Sequence, residues 1–417
     1  MSNLPLTADE AARIALKLQP SLGDAIGALQ TAQGRTRQIG SGLNPQLVVG
    51  AGYDQISSIS GATTATTQSP SGLSPLGTSP VYRYTSGAAI RQLLFDFNQT
   101  RNSVRQSRAL ENVATANLNR AQSDLVLAVK NAFYNYTNAR RLVIVNQDNV
   151  SNRQRQLDLT SARLASGLGL PSDVVTAETS KSQGILALTI ARDTEQQARI
   201  ALLQLMGVDP ATPIIVADQP EKPTASSSPK SLIETALRSR PEVQSAVQAL
   251  RASQFGLDAA KALNLPAIFA AVSAGTAGPD FPLKDNTVAL GVGFQFPLFD
   301  GGARSGAVQQ AHGQMKTAQS DLQNAVLTVR SDVVSAYLSL ASAEQRVNVV
   351  DTEVANATEG VRVAEGRYAA GLGLFQDITT AQGLLLGALT DQSTVRSNLD
   401  LARAHLRHAI GQTLSST

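Results

Sequence analysis

The chain has 417 residues with 35 Lys and Arg against 32 Asp and Glu, and a net charge of +3 gives no electrostatic ground for a nucleic-acid partner. Cys and Trp are absent and aromatics make up 4%, which excludes disulfides, thiolate metal sites and a Cys nucleophile and favours long helices meeting through Ala and Val over an aromatic-rich enzyme core. No window of 18 apolar residues occurs, so a transmembrane helix is excluded, whereas short half-apolar barrel strands stay open.

The opening Met1-Ser-Asn-Leu-Pro-Leu-Thr lacks the charged and apolar regions of a signal peptide. The protein is then either cytoplasmic or an exported chain whose signal has been removed. Residues 1–207 read as a first unit: a helix, strands at about 45–56 and 81–95, and a long helical hairpin with its tip at 167–171. From Gln46 to Asp54, Leu47, Val49, Ala51 and Tyr53 share one face, and Gln46, Gly50, Gly52 and Asp54 lie on the other with Val48. Tyr82 to Ile90 follows the pattern more weakly. Between them, Ser57 to Pro80 is rich in Gly, Ser, Thr and Pro and reads as a long exposed loop.

No proline interrupts Asn98 to Ser166, and seam positions spaced four and three from Leu118 to Leu164 are apolar at ten of fourteen, the exceptions being Gln122, Asn146, Arg153 and Thr160. At about 1.5 Å per residue such a helix is roughly 100 Å long. It ends at Gly167-Leu-Gly-Leu-Pro171, and Asp173 falls in the first turn of the returning helix. Residues 208–230, with Pro210, Pro213, Pro220, Pro223 and Pro229, form a linker that is either free or docked on the outside of the helices.

Residues 231–411 repeat the order: a helix, strands at about 266–276 and 286–298, and a hairpin with its tip at 371–375, followed by a tail at 412–417. Val288, Leu290, Val292, Phe294 and Phe296 alternate with Ala289, Gly291, Gly293 and Gln295, as a strand facing lipid requires; the alternative is a strand of an ordinary soluble sandwich. The seam from Leu322 to Tyr368 is apolar at all fourteen positions. The two units are copies: an offset of 204 aligns Phe95–Gly207 with Phe299–Gly411 without a gap and matches 28 of 113 residues. Upstream the offset is 221, pairing Pro20 with Pro241 and Pro45 with Pro266. Four strands cannot close a barrel in lipid, whereas three chains supply twelve, with the helices continuing the cylinder.

This order resembles the TolC-like outer membrane efflux protein family. The marks are Phe299-Asp-Gly-Gly302 after the fourth strand, Arg-x-x-x-Gly-Leu at Arg163–Leu168 and Arg367–Leu372, and Asp-x-x-x-Ala at Asp173–Ala177 and Asp377–Ala381. The resemblance spans Leu6 to Gly411. It implies a mainly α, α+β fold: a tandem duplication giving four strands of a 12-stranded trimeric outer-membrane barrel, continued by a helical coiled-coil barrel through the periplasm. It also implies a homotrimer in outer-membrane lipid, docked to a periplasmic adaptor (membrane fusion) protein and an inner-membrane pump of RND, ABC or MFS type. Carried over, Gly167, Leu168, Gly169, Gly371, Leu372 and Gly373 form adaptor-docking tips, with Arg163 and Arg367 beside them. Asp173, Tyr368 and Asp377 match a periplasmic gate. Gly373 stands where the best-known member has an arginine, and Thr380 where it has a second ring aspartate, so fewer polar links hold the closed state.

No nucleophile, base and orienter can be grouped, so no catalytic residue and no cofactor is expected. His405 and His408 are spaced i, i+3 without a third ligand, and no metal site is expected. Arg101, Arg105 and Arg108 form a basic stripe, either a solvated helix face or an anion-attracting one. Three Asp377 carboxylates on a three-fold axis would repel and attract cations; the alternative is that Asp377 only complements its helix dipole. The rival reading is a flagellin-like or other self-assembling coiled-coil structural protein, which predicts neither the duplication nor the lipid-type strands.

Overall fold

A computed structural model describes residues 5–57, 80–222, 228–278 and 281–412. The expected loop between Ser57 and Pro80 lies outside the described residues. The elements run α1 (Ala8–Leu18), α2 (Leu22–Gly40), β1 (Gln46–Ser57), β2 (Pro80–Phe95), α3 (Gln99–Ala165), α4 (Pro171–Met206), α5 (Pro229–Ser239), α6 (Pro241–Ala262), β3 (Ala267–Gly278), β4 (Asp285–Gln295), α7 (Ala303–Ala369) and α8 (Phe375–Ala409). The fold is mainly α with one antiparallel sheet. Each expected leading helix is two helices. The breaks fall at Pro20 and at Pro241, because a proline inside a helix removes a hydrogen bond and collides with the preceding turn. α1 starts on a capping box, in which Thr7 Oγ1 accepts from Glu10 N at 3.3 Å and Glu10 Oε2 accepts from Thr7 N at 2.9 Å.

Contacts divide the chain into two compact units, each drawing on both halves of the sequence. The first comprises Met1–Leu29, Val113–Val247 and Asp321–Thr417. Its largest core packs Ala11, Ala12 and Ala15 of α1 against Val126, Val129 and Phe133 of α3, Leu202 and Met206 of α4, and Val216 of the linker. Alanine at three and four residue spacing on α1 is what allows that close approach. A second cluster joins Leu232 and Ala236 of α5 to Val329 and Val333 of α7 and Leu406 of α8. A third, at the hairpin ends, holds Ala177, Ala364, Tyr368, Phe375 and Ile378. The seam of the second long helix is thus buried at Val329, Val333, Val350 and Ala364.

Three of the four exceptions in the first seam have local explanations. Thr160 is buried and donates to the carbonyls of Gln156 and Leu157, both at 3.0 Å. Arg153 donates to Ser180 O of α4 at 2.7 Å and lies over Gly184, where a Cβ would come within 2.9 Å of its Cδ. Asn146 turns back to Leu142 O at 2.8 Å.

The second unit comprises Gln30–Asn112 and Gln248–Ser320 and carries the sheet, in the order β1-β2-β3-β4. β1 pairs with β2 from Gln46 opposite Arg91 to Ser57 opposite Pro80, β2 with β3 around Gly87 opposite Gly275, and β3 with β4 from Ala267 opposite Gln295 to Ala277 opposite Asp285. β4 ends at Gln295 rather than the expected 298, since Pro297 has no N–H to give the ladder. Val288, Leu290, Val292 and Phe294 on β4 are 69–79% exposed, as is Val49 on β1. Both strand-to-helix corners need left-handed backbone, supplied by Gly301 (φ 65°) and Gly302 (φ 95°) before α7 but by Phe97 (φ 51°) and Asn98 (φ 68°) before α3. In each the preceding Asp receives helix N–H groups: Asp300 Oδ2 from Arg304 N at 3.0 Å, Asp96 Oδ2 from Thr100 N at 2.7 Å.

Candidate functional site

The hairpin tips are built alike. Leu168 N donates to Arg163 O at 2.9 Å and Gly167 N to Leu164 O at 3.0 Å; Leu372 N donates to Arg367 O at 2.8 Å and Gly371 N to Tyr368 O at 3.0 Å. These paired bonds are Schellman caps, and the left-handed residue they need is Gly167 (φ 71°) or Gly371 (φ 76°). The second glycine of each tip answers a different demand. A Cβ on Gly169 would lie 2.8 Å from Leu164 N, and one on Gly373 3.1 Å from Arg367 Cβ. Leu168 (73%) and Leu372 (75%), with Leu170 and Leu374 beside them, therefore project into solvent. The tips thus hold their leucines exposed on a turn fixed by these backbone bonds.

Arg163 leaves the first tip for the second hairpin. Its Nη1 donates to Tyr368 O at 2.9 Å and Ala369 O at 3.4 Å, the last carbonyls of α7, and its guanidinium lies 4.6 Å over the Tyr368 ring. Tyr368 Oη donates to Asp173 Oδ2 of α4 at 3.2 Å, and burial, then the Asp173 charge, pushes the phenol pKa up. Two of the three expected gate residues, Asp173 and Tyr368, are therefore in contact, and Arg163 joins them. The third takes no part in that chain of bonds: Asp377 is exposed and its Oδ2 accepts from Leu374 N at 3.1 Å, capping α8. Arg367 is exposed and, among the described residues, its side chain makes no hydrogen bond or ion pair.

A second polar cluster was not expected from the sequence. The linker is docked: Leu6 N donates to Ile215 O and Ala217 N to Leu6 O, both at 2.8 Å, and Asp218 pairs with Arg141. Beyond them Glu221, 4% exposed, accepts from Lys130 Nζ at 2.9 Å, Tyr134 Oη at 2.8 Å and Arg407 Nη1 at 2.6 Å. Its N–H donates to Asp400 Oδ1 at 3.0 Å and its carbonyl accepts from Arg403 Nη1 at 3.3 Å, while Lys130 also contacts Asp9 of α1 at 2.8 Å. The Glu221 carboxylate so joins α3 to α8, and Lys130 carries the link on to α1. Burial and the Glu221 charge push the Tyr134 phenol up, and burial pushes the Asp400 carboxyl up to about 6 against the pull of the Glu221 N–H and Arg403. Nothing in the sequence marks Lys130 or Glu221 as buried. Of the two histidines on α8, His408 Nε2 lies 3.0 Å from Asp124 Oδ1, and burial lowers the His405 pKa.

Among the described residues no helix is long and apolar enough to cross a membrane; the sheet offers the apolar surface instead. A structure with four strands, two long hairpins and exposed tip leucines is of a class defined by duplicated strand and hairpin units. The family model for outer membrane efflux proteins matches residues 11–208 and 232–412, and the chain belongs to that family, whose members are outer-membrane channels rather than enzymes. It is 28% identical over 269 residues to outer membrane efflux protein BepC of Brucella suis biovar 1 (strain 1330), covering 63% of this chain and 58% of the relative. It therefore spans less than two thirds of that relative's length. It is 24% identical over 344 residues to alkaline protease secretion protein AprF of Pseudomonas aeruginosa, covering 79% of this chain and 69% of the relative. The crystal structure of a membrane protein from Pseudomonas aeruginosa has the same fold, with a TM-score of 0.84 at 20% identity, covering 97% of this chain and 93% of the other. The flagellin-like reading is corrected by the family match.

Proposed function

We propose that the chain forms a homotrimeric channel-tunnel, the exit duct of a tripartite efflux or type I secretion system, conducting passively on energy supplied by an inner-membrane pump of RND, ABC or MFS type. The observation that carries this reading is the alternation on β4, whose apolar side chains stand 69–79% exposed on a sheet with two open edges. Lipid on one face and further strands at the edges would satisfy both. The tips Gly167-Leu168-Gly169 and Gly371-Leu372-Gly373, flanked by Arg163 and Arg367, dock a periplasmic adaptor, and Asp173, Tyr368 and Asp377 gate the periplasmic entrance. The names of BepC and AprF support export by efflux in one relative and protein secretion in the other.

The test is Leu168→Asp combined with Leu372→Asp in cells lacking their own duct. Light scattering in detergent should give a protein mass close to three times 43.7 kDa for the wild type and the double variant alike. Export should be restored by the wild type and lost in the double variant. Restoration by the double variant refutes the tip assignment; a monomer stable without detergent refutes the duct.

A further inference from the structure

The two repeats carry one arginine each at the same turn, and only one of them has met its acceptor within the chain. Arg163 donates into Tyr368 O and Ala369 O. The 204-residue offset converts that donor into Arg367 and those acceptors into Leu164 O and Ala165 O. The turns superpose bond for bond, since both arginine carbonyls accept from the tip leucine and both positions one residue further accept from the tip glycine. Yet the Arg367 side chain has no hydrogen bond or ion pair, and Ala165 O accepts none, among the described residues. A donor left open on one tip and its matching acceptor left open on the other are the two halves of a heterologous contact, the kind that closes identical chains into a ring.

We infer that Arg367 of one copy caps the C-terminal turn of α3 in the next copy, donating to Leu164 O and Ala165 O. The partner is a second copy of this chain, and the inference rests on the ring assembly proposed above. A guanidinium suits the site because its forked donors reach two successive carbonyls at the negative end of a helix.

The two seams are not equal. In the contact between copies Tyr368 is replaced by its counterpart Leu164, Phe375 by Pro171 and Asp173 by Asp377. The arginine then has no ring to lie on, and no hydroxyl reaches Asp377, whose carboxylate caps its own helix instead. Within a chain the hairpins are joined by an arginine, a ring contact and a tyrosine–aspartate bond. Of these links only the arginine has a counterpart between chains.

The absence of cysteine makes the test clean. Purified full-length trimer in detergent is treated with bismaleimidoethane, whose spacer stands in for the arginine side chain. Arg163→Cys with Ala369→Cys should link within a chain and migrate as a monomer on a denaturing gel. Arg367→Cys with Ala165→Cys should link between chains and give covalent dimer and trimer. If the first pair links and the second does not, in a sample whose trimer mass light scattering confirms, the proposal fails while the duct reading stands. If that mass is monomeric, both fail.

Discussion

Glu221 is the residue whose loss should be felt furthest from its place in the chain. Its carboxylate accepts from Lys130, Tyr134 and Arg407, and Lys130 is 2% exposed. Glu221→Ala removes the shared acceptor and leaves Arg407 buried without a carboxylate and Lys130 with Asp9 alone. Breaking a buried ion pair by deleting one partner costs about 3–5 kcal/mol, because the remaining charge has already lost its water. With an unfolding entropy of about 2.1 cal/mol/K per residue, that loss lowers the thermal midpoint of the 417-residue chain by roughly 3–6 °C. Differential scanning fluorimetry in detergent reads it directly. The control is Glu221→Leu with Lys130→Met and Arg407→Leu, which takes all three charges away and should recover most of the loss. A midpoint for Glu221→Ala within 1 °C of wild type, or a triple variant no better than the single one, would refute the view of the linker as a clasp.

Asp400 gives the same cluster a pH dependence. Its folded pKa, about 6, lies above the ordinary carboxylate value of 3.8, so its proton stabilises the fold fully below that value and the contribution is lost as pH rises through about 6. Asp400→Asn keeps an acceptor for the Glu221 N–H and cannot ionise. It should exceed wild type by up to about 3 kcal/mol at pH 8 and match it at pH 4, as urea midpoints across that range will show. Equal midpoints at pH 8 would count against a raised Asp400 pKa. At the tip, Gly169→Ala should cost about 1–3 kcal/mol and accelerate amide exchange in the turn, because its Cβ would meet Leu164 N at 2.8 Å. Gly23→Ala, with nothing within 4 Å of the added carbon, should be neutral or stabilising by about 0.5–1 kcal/mol.

The long helices were legible because their message is repeated: a seven-residue pattern with no proline leaves few alternatives, and α3 and α7 end where Gly167 and Gly371 punctuate it. The strands were legible from alternation, their ends falling within three residues of the expected ones. The clasp was not, because a salt bridge between Lys130 and Glu221 spans 91 residues and neither partner sits in a periodic pattern. The role of Arg163 was half legible. Its repeat position placed it at a tip, but spacing along one helix says nothing of a reach to Tyr368 on another hairpin. The corner before α3 shows how a repeat can mislead: where the second copy has two glycines, the first holds Phe97 and Asn98 in the same left-handed region at a steric cost, so no glycine signal survives there.

Strand direction in the sheet has a consequence for assembly. Alternation over four strands leaves β1 and β4 running in opposite senses. A copy that lays its β1 along another's β4 continues an antiparallel ladder, and would do so equally well in a closed set of two, three or four. The hydrogen-bonding edges can therefore specify that copies join, and in which order, but not how many. That count has to come from elsewhere in the chain, so substitutions outside the strands are where the number of copies that join would change.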